Sequence, residues 1–209
     1  MKITLFSKLL WRVKRDDGIA ATEFGLIAPT FMLLLMGVFD IGYAGYTKAV
    51  LQGALEEAGR NASLETTTPA VLDNKVFTTM LTLNKNIVLN ASSGYTGDKL
   101  NITRKYYERY SDILTPEDFN DANNNSLRDS GECFVDRNGN STWDADVGVT
   151  GRGGAQDVVF YEATLTYTRL FPLWQILGQS ETEVIKGRTI LRNQPFTAQA
   201  ARSGVTICT

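Results

Sequence analysis

Ile19 to Tyr46 reads IAATEFGLIAPTFMLLLMGVFDIGYAGY, and the organisation of the whole chain turns on it. From Phe24 to Phe39 there is no charge. Extended to Tyr46, the run contains one acid, Asp40, and is 23 residues long. As a helix that length spans a hydrocarbon core of roughly 30 Å. Apolar residues lie all round the helix rather than in one stripe, unlike the buried helix of a soluble domain. Lys2, Lys8, Arg12, Lys14 and Arg15 precede it, opposed only by Asp16 and Asp17. That bias predicts a cytoplasmic N-terminus and an exported remainder, with Tyr43 and Tyr46 at the outer interface. A cleaved secretory signal would be shorter and end in small residues; no clear site of that kind closes this run.

Toward the C-terminus the run passes directly into Thr47–Ser63, TKAVLQGALEEAGRNAS. Val50, Leu51, Ala54, Leu55 and Ala58 share one side, and Gln52, Glu56, Glu57 and Arg60 fall elsewhere. One continuous helix from about Thr22 to about Leu64 is predicted, protruding from the bilayer as a stalk. Two acids at or inside the membrane need a reason, because each costs several kcal/mol unless paired, protonated or near the interface. Asp40 is expected to snorkel toward the outer interface. Glu23 is harder to account for. Pro29 removes a backbone hydrogen bond one turn into the helix, so a local kink is expected there.

The exported part reads as an α+β head. Val71–Leu83 is predicted as a short helix. Asn86–Asn90, Leu100–Tyr107, Asp157–Leu170 and Glu181–Leu191 are predicted strands, the last two pairing as a hairpin across a break at Pro172 and a helical turn through Trp174 and Leu177. The fold class is therefore α+β: a long N-terminal transmembrane helix continuing into a stalk, with a small antiparallel-sheet head. The parts are a basic leader (1–18), the transmembrane and stalk helix (19–64) and the head (65–209), with an Asp/Asn-rich insertion at 116–154.

That insertion has its own chemistry. Asp121, Asn123, Asn125, Asp129 and Glu132 occupy the first, third, fifth, ninth and twelfth places of a twelve-residue window, with Leu127 offering a backbone carbonyl at the seventh. The spacing resembles an EF-hand-type calcium loop. Ser126 stands at the sixth place, where Gly is usual. The pattern restarts at Asp136, with Asn138, Asn140, Thr142 and Asp144 in register. Its twelfth residue is Val147, so either Asp146 substitutes or Glu132 is shared. The tandem also resembles the Asp/Asn-rich repeats of dockerins and thrombospondin-like modules. Calcium, one or two ions, is the cofactor expected, with a structural role. A solvated turn-rich loop is the plain alternative, since Asn, Asp and Gly favour turns anyway. Cys133 and Cys208, the only cysteines, are expected to bridge in an oxidising compartment, the alternative being two free thiols.

The chain has 209 residues, a net charge of −2 and no His. It thus lacks the commonest general base and transition-metal ligand, and two cysteines cannot complete a zinc site alone. No basic patch interleaved with aromatics points to nucleic acid. No nucleophile motif is present, and the reading is not an enzyme.

Gly18-Ile19-Ala20-Ala21-Thr22-Glu23-Phe24, behind a basic leader, resembles the processing site of type IV prepilins and pseudopilins. The resemblance implies cleavage between Gly18 and Ile19 by a prepilin peptidase. It also implies an assembly role for Glu23, whose carboxylate would pair with the new ammonium of a neighbouring subunit, each charge making the other tolerable in low dielectric. Glu23-Phe24-Gly25-Leu26-Ile27-Ala28-Pro29, followed by Gly37-Val38-Phe39-Asp40-Ile41-Gly42, is similar to one branch, the TadE-like minor pilins or pseudopilins of the tight-adherence (Flp) pilus. Glu56-Glu57-Ala58-Gly59-Arg60 resembles that family's helix continuation, and Ile190–Phe196 its closing strand. The resemblance implies a single-pass protein of the bacterial inner membrane, head in the periplasm, with a surface pilus as a further destination. Its partners would be other pilin and pseudopilin subunits, the prepilin peptidase, the inner-membrane pilus platform and membrane lipid. The competing reading is a membrane-tethered, calcium-dependent adhesion or recognition module without a filament role.

Overall fold

The computed structural model describes residues 17–62, 68–194, 202 and 204–208. Most of the basic leader, the last two residues of the expected stalk, and Pro195 and Phe196 lie outside the described residues. The chain forms two compact units: residues up to Tyr43 with Arg169–Glu181, and Ala44–Thr168 with Thr182–Thr209.

Helix α1 runs unbroken from Asp17 to Ala62, with Pro29 inside it. In the first unit its apolar side chains face outward: Phe24, Leu26, Ile27, Phe31, Leu34, Val38 and Phe39 are all exposed. The helix is long and apolar enough to cross a membrane. Asp40 departs from expectation. It does not snorkel but is 1% exposed. It accepts hydrogen bonds from Arg169 Nη1 (3.1 Å), the Leu170 amide (3.3 Å) and Trp174 Nε1 (2.5 Å). A cation and two neutral donors supply locally what the interface was expected to supply, so the acid needs no route to water.

In the second unit the later part of α1 is the head's own packing helix rather than only its support. Leu51, Ala54, Leu55 and Ala58 are buried; each leucine contributes roughly 1.5–3 kcal/mol by leaving water. The stripe lies against strand β6 (Thr182–Arg192). Gly187 makes the approach close: a Cβ there would sit 2.7 Å from Leu55 Cδ1 and 3.2 Å from Leu51 Cγ. β6 ends the sheet path, and Gln52 bonds its backbone, donating to the Arg188 carbonyl (2.9 Å) and accepting from its amide (3.3 Å). Helix α2 (Pro69–Leu81) starts on a proline, whose missing N–H costs nothing there, and buries Leu72, Val76 and Met80 at four-residue spacing.

The main sheet has the order β1 (Val88–Leu89), β2 (Lys99–Tyr107), β5 (Val158–Thr168), β6, with β4 (Val149–Thr150) on the far part of β2. β2 (Lys99–Tyr107) and β5 (Val158–Thr168) pair antiparallel from Lys99↔Thr166 to Tyr107↔Val158, and β5 and β6 form the expected hairpin. The sheet is nevertheless mixed, because β1 (Val88–Leu89) runs parallel to β2. Asn90 leaves β1 at φ 48° and the chain wraps round through residue 98, so β2 starts from the same end. The Asn90 side chain holds this exit by accepting from the Ile102 amide at 2.9 Å. β4 (Val149–Thr150) and a separate pair, β3 (Cys133–Asp136) with β7 (Val205–Cys208), were not foreseen.

At its Val158 end β5 is buried on both faces, Val158 to Tyr161. On one side a second cluster forms from Tyr107, Val147 and Phe160, with Ile113 against it. The insertion sits on this cluster.

Candidate functional site

The insertion folds as two loops of the same hydrogen-bond design. In the first, Asp121 Oδ1 and Oδ2 accept from the amides of Asn125 (3.1 Å) and Ser126 (2.8 Å). Asn123 Oδ1 accepts from the Asn125 amide and Asn125 Oδ1 from the Leu127 amide. The Nδ2 groups of Asn123 and Asn125 both donate to Asp129 Oδ2, at 2.7 and 2.8 Å. In the second, Asp136 accepts from Gly139 and Ser141, Asn138 from Asn140, and Asn140 from Thr142. Asn138 and Asn140 both donate to Asp144 Oδ2 at 2.6 Å. Places one, three, five and nine thus meet in each loop.

The backbones repeat as well. The fourth places, Asn124 and Gly139, have φ of 58° and 80°, and the sixth, Ser126 and Ser141, both have 63°. The sixth place of an EF-hand-type loop needs a left-handed residue. Serine holds that conformation here at a cost of roughly 1–2 kcal/mol, so the lack of a glycine at this place does not alter the turn.

The twelfth place separates the loops. Glu132 is buried, accepting from the Ala122 amide through Oε1 and the Asp129 amide through Oε2, both at 2.9 Å. These are the second and ninth places of its loop. In the second loop the same two places, Arg137 and Asp144, donate to Glu117, at 2.8 Å to Oε1 and 3.2 Å to Oε2. Glu117 is fully buried. Its amide donates to the Asp144 carbonyl and its carbonyl accepts from Trp143 Nε1. The two acids expected at this position, Glu132 and Asp146, have other hydrogen-bond partners in this structure. Glu132 stays with its own loop. Asp146 turns away, accepting from Lys105 Nζ (2.7 Å) and the Tyr107 hydroxyl (3.0 Å). Burial, and then the Asp146 hydrogen bond, raise the Tyr107 pKa. Glu117 went unnoticed because it precedes its loop in the chain, and a linear motif finds only an acid that follows. The tandem pattern still contained a signal: the second copy lacks its acid, and an unassigned Glu stands before the first.

The donors in both loops are carboxylate, amide and backbone oxygens, the hard set that suits calcium and not zinc or copper. Among the described residues, no three His, Cys, Asp or Glu side chains are set closely enough to hold a metal ion by themselves; in both loops Asn amides stand between the acids and donate into them.

Cys133 and Cys208 are joined by a disulfide. They face each other in the β3–β7 register, so the bond fixes the C-terminal strand beside both loops. Phe119 bridges the other edge of β3 at Phe134, which brings Glu117 alongside. Arg202 adds a second tie: its guanidinium meets the buried Asp157 carboxylate at 2.7 Å and lies over the Tyr106 ring.

The remaining sequence candidates lie on α1. Gly18, Ile19, Glu23, Phe24 and Pro29 all fall within its first turns, and Glu23 is exposed among apolar neighbours. Thr22 Oγ1 donates to the Ile19 carbonyl at 2.8 Å.

One apolar helix of membrane-spanning length that continues as the packing helix of a mixed-sheet head defines an α+β class. Within that class, residues 18–60 match the family model of TadE-like proteins, which supports the TadE-like pilus family. No curated protein and no solved structure matches the chain.

Proposed function

We propose that this chain is a minor pilin or pseudopilin of the tight-adherence pilus: held in the inner membrane by α1, processed between Gly18 and Ile19, and carrying a calcium-stabilised head. The observation that carries the reading is the TadE-like match over residues 18–60, together with an exposed Glu23 on an otherwise apolar helix surface. A carboxylate facing lipid is costly. One facing the ammonium of a neighbouring subunit is paired, and it sets the axial register of packed helices.

The calcium part of the reading rests on the duplicated donor sets. Asp121, Asn123, Asn125, the Leu127 carbonyl, Asp129 and Glu132 would hold one ion. Asp136, Asn138, Asn140, the Thr142 carbonyl, Asp144 and Glu117 would hold the other. A bound ion would cross-link an insertion whose composition is otherwise too polar to order itself.

Glu23→Gln tests the assembly reading. The variant should insert into the membrane and accumulate like the parent while failing to enter the pilus or rescue its formation. Normal pilus formation by the variant would leave a calcium-dependent tethered module as the better account.

A further inference from the structure

We propose that the β5–β6 connection, Arg169–Glu181, is a second membrane contact, placing Leu170, Ile176 and Leu177 in lipid beside α1. The proposal rests on the reading of α1 as a membrane-spanning helix.

The connection is fastened to α1 within the first unit. Asp40 binds Arg169, the Leu170 amide and Trp174, and the Arg169 guanidinium lies 4.7 Å from the Trp174 ring centre. One turn earlier, Gly37 leaves room for Leu173, whose Cδ2 would be 3.4 Å from a Cβ at that position. The contact is therefore at Gly37–Asp40. From Phe24 to Asp40 the helix rises about 24 Å, so this level is near the outer limit of a hydrocarbon core of roughly 30 Å.

Three features suit the connection to lipid rather than water. Leu170–Ser180, LFPLWQILGQS, carries no charged residue. Three of its outward side chains are large and apolar, with Leu170 at 52%, Ile176 at 73% and Leu177 at 61% exposure, while the exposed polar ones, Gln175, Gln179 and Ser180, are uncharged. At the same level of α1, Val38, Phe39 and Ile41 are exposed and apolar as well. Much of the second half of the connection's backbone is also bonded internally, which lowers the cost of a low-dielectric setting. The amides of Ile176, Leu177, Gly178 and Gln179 donate to Pro172, Leu173, Gln175 and Trp174, and the Arg169 amide to Glu181. The one buried acid at this level has its cation beside it, and Trp174 is the residue type that favours such a boundary.

The test uses the full chain in phosphatidylcholine–phosphatidylglycerol vesicles with no other protein. Single nitroxides are placed at Ile176→Cys, at Leu34→Cys in the anchor and at Ser93→Cys in an exposed turn of the head, under conditions that keep the native disulfide. Collision of each label with oxygen and with a water-soluble nickel chelate is measured. Labels at 34 and 176 should favour oxygen severalfold, and the label at 93 should favour nickel. A label at 176 that behaves like 93, while 34 reports lipid, overturns the proposal. A label at 176 shielded from both reagents also overturns it, because a second copy of the chain then covers the surface. If the label at 34 is itself in water, the spanning helix is the part that fails.

Discussion

Replacing Glu117 by Gln should separate the two loops. The carboxylate is fully buried and accepts the amides of Arg137 and Asp144 at 2.8 and 3.2 Å. The amide side chain keeps one acceptor and presents NH2 to the other donor. One buried N–H is left unpaired, a loss of about 1–3 kcal/mol without calcium. With calcium at a hundred times its dissociation constant, one occupied site adds about 2.7 kcal/mol of stability. Weakening the second site by roughly 100-fold, a loss at the upper end for groups around a metal, brings that constant up to the calcium concentration. The site's contribution then falls to about 0.4 kcal/mol, so some 2.3 kcal/mol of the calcium-dependent gain disappears. Denaturant unfolding at fixed calcium reads the energy, and titration calorimetry should read two equivalents in the parent and one in Glu117→Gln. Asp146→Asn is the comparison. Because Asp146 is engaged by Lys105 and Tyr107, it should keep both equivalents. Two equivalents in Glu117→Gln, or one in Asp146→Asn, refutes the assignment of Glu117 as the twelfth residue of the second loop.

Three further outcomes follow from the same geometry. Ser126→Gly and Ser141→Gly relieve left-handed serines at φ 63° and should each raise stability by about 1 kcal/mol, read as a higher denaturant midpoint at unchanged slope. Cys208→Ser opens a bridge between residues 75 apart and should cost about 4 kcal/mol by the chain-entropy estimate; proteolysis should then remove the C-terminal strand while leaving the main sheet. The folded state holds the Tyr107 proton more tightly than the unfolded chain, whose tyrosine titrates near 10. That stability is present below about pH 10 and lost as pH rises above it, so Tyr107→Phe should show a shallower fall in unfolding free energy between roughly pH 9.5 and 11.

What the sequence disclosed divides along a physical line. The helix, the β5–β6 hairpin and places one to nine of each loop are set by local spacing, and spacing is what a linear reading detects. Glu117 is not local to the loop it serves: a strand-like crossing at Phe119–Phe134 delivers it from the wrong side of the chain order. Asp40 shows the same limit, since its partners Arg169 and Trp174 lie more than a hundred residues away; the lone acid was visible and its pairing was not. The strand at β1 was legible within Asn86–Asn90, but its parallel direction was not, because two paired residues carry no register of their own. The stripe Leu51-Leu55-Ala58 was legible as a face, but the strand it covers was identifiable only through Gly187, a small residue whose reason lies across the helix.

The central claim is that this is a processed pilin-like subunit, and the N-terminal residue of the protein purified from membranes tests it most directly. Intact mass and terminal sequencing, with and without an active prepilin peptidase, should give a chain beginning at Ile19 only when the peptidase is active. A chain that still carries the leader through Gly18 beside an active peptidase would contradict the account and reduce α1 to a plain tether.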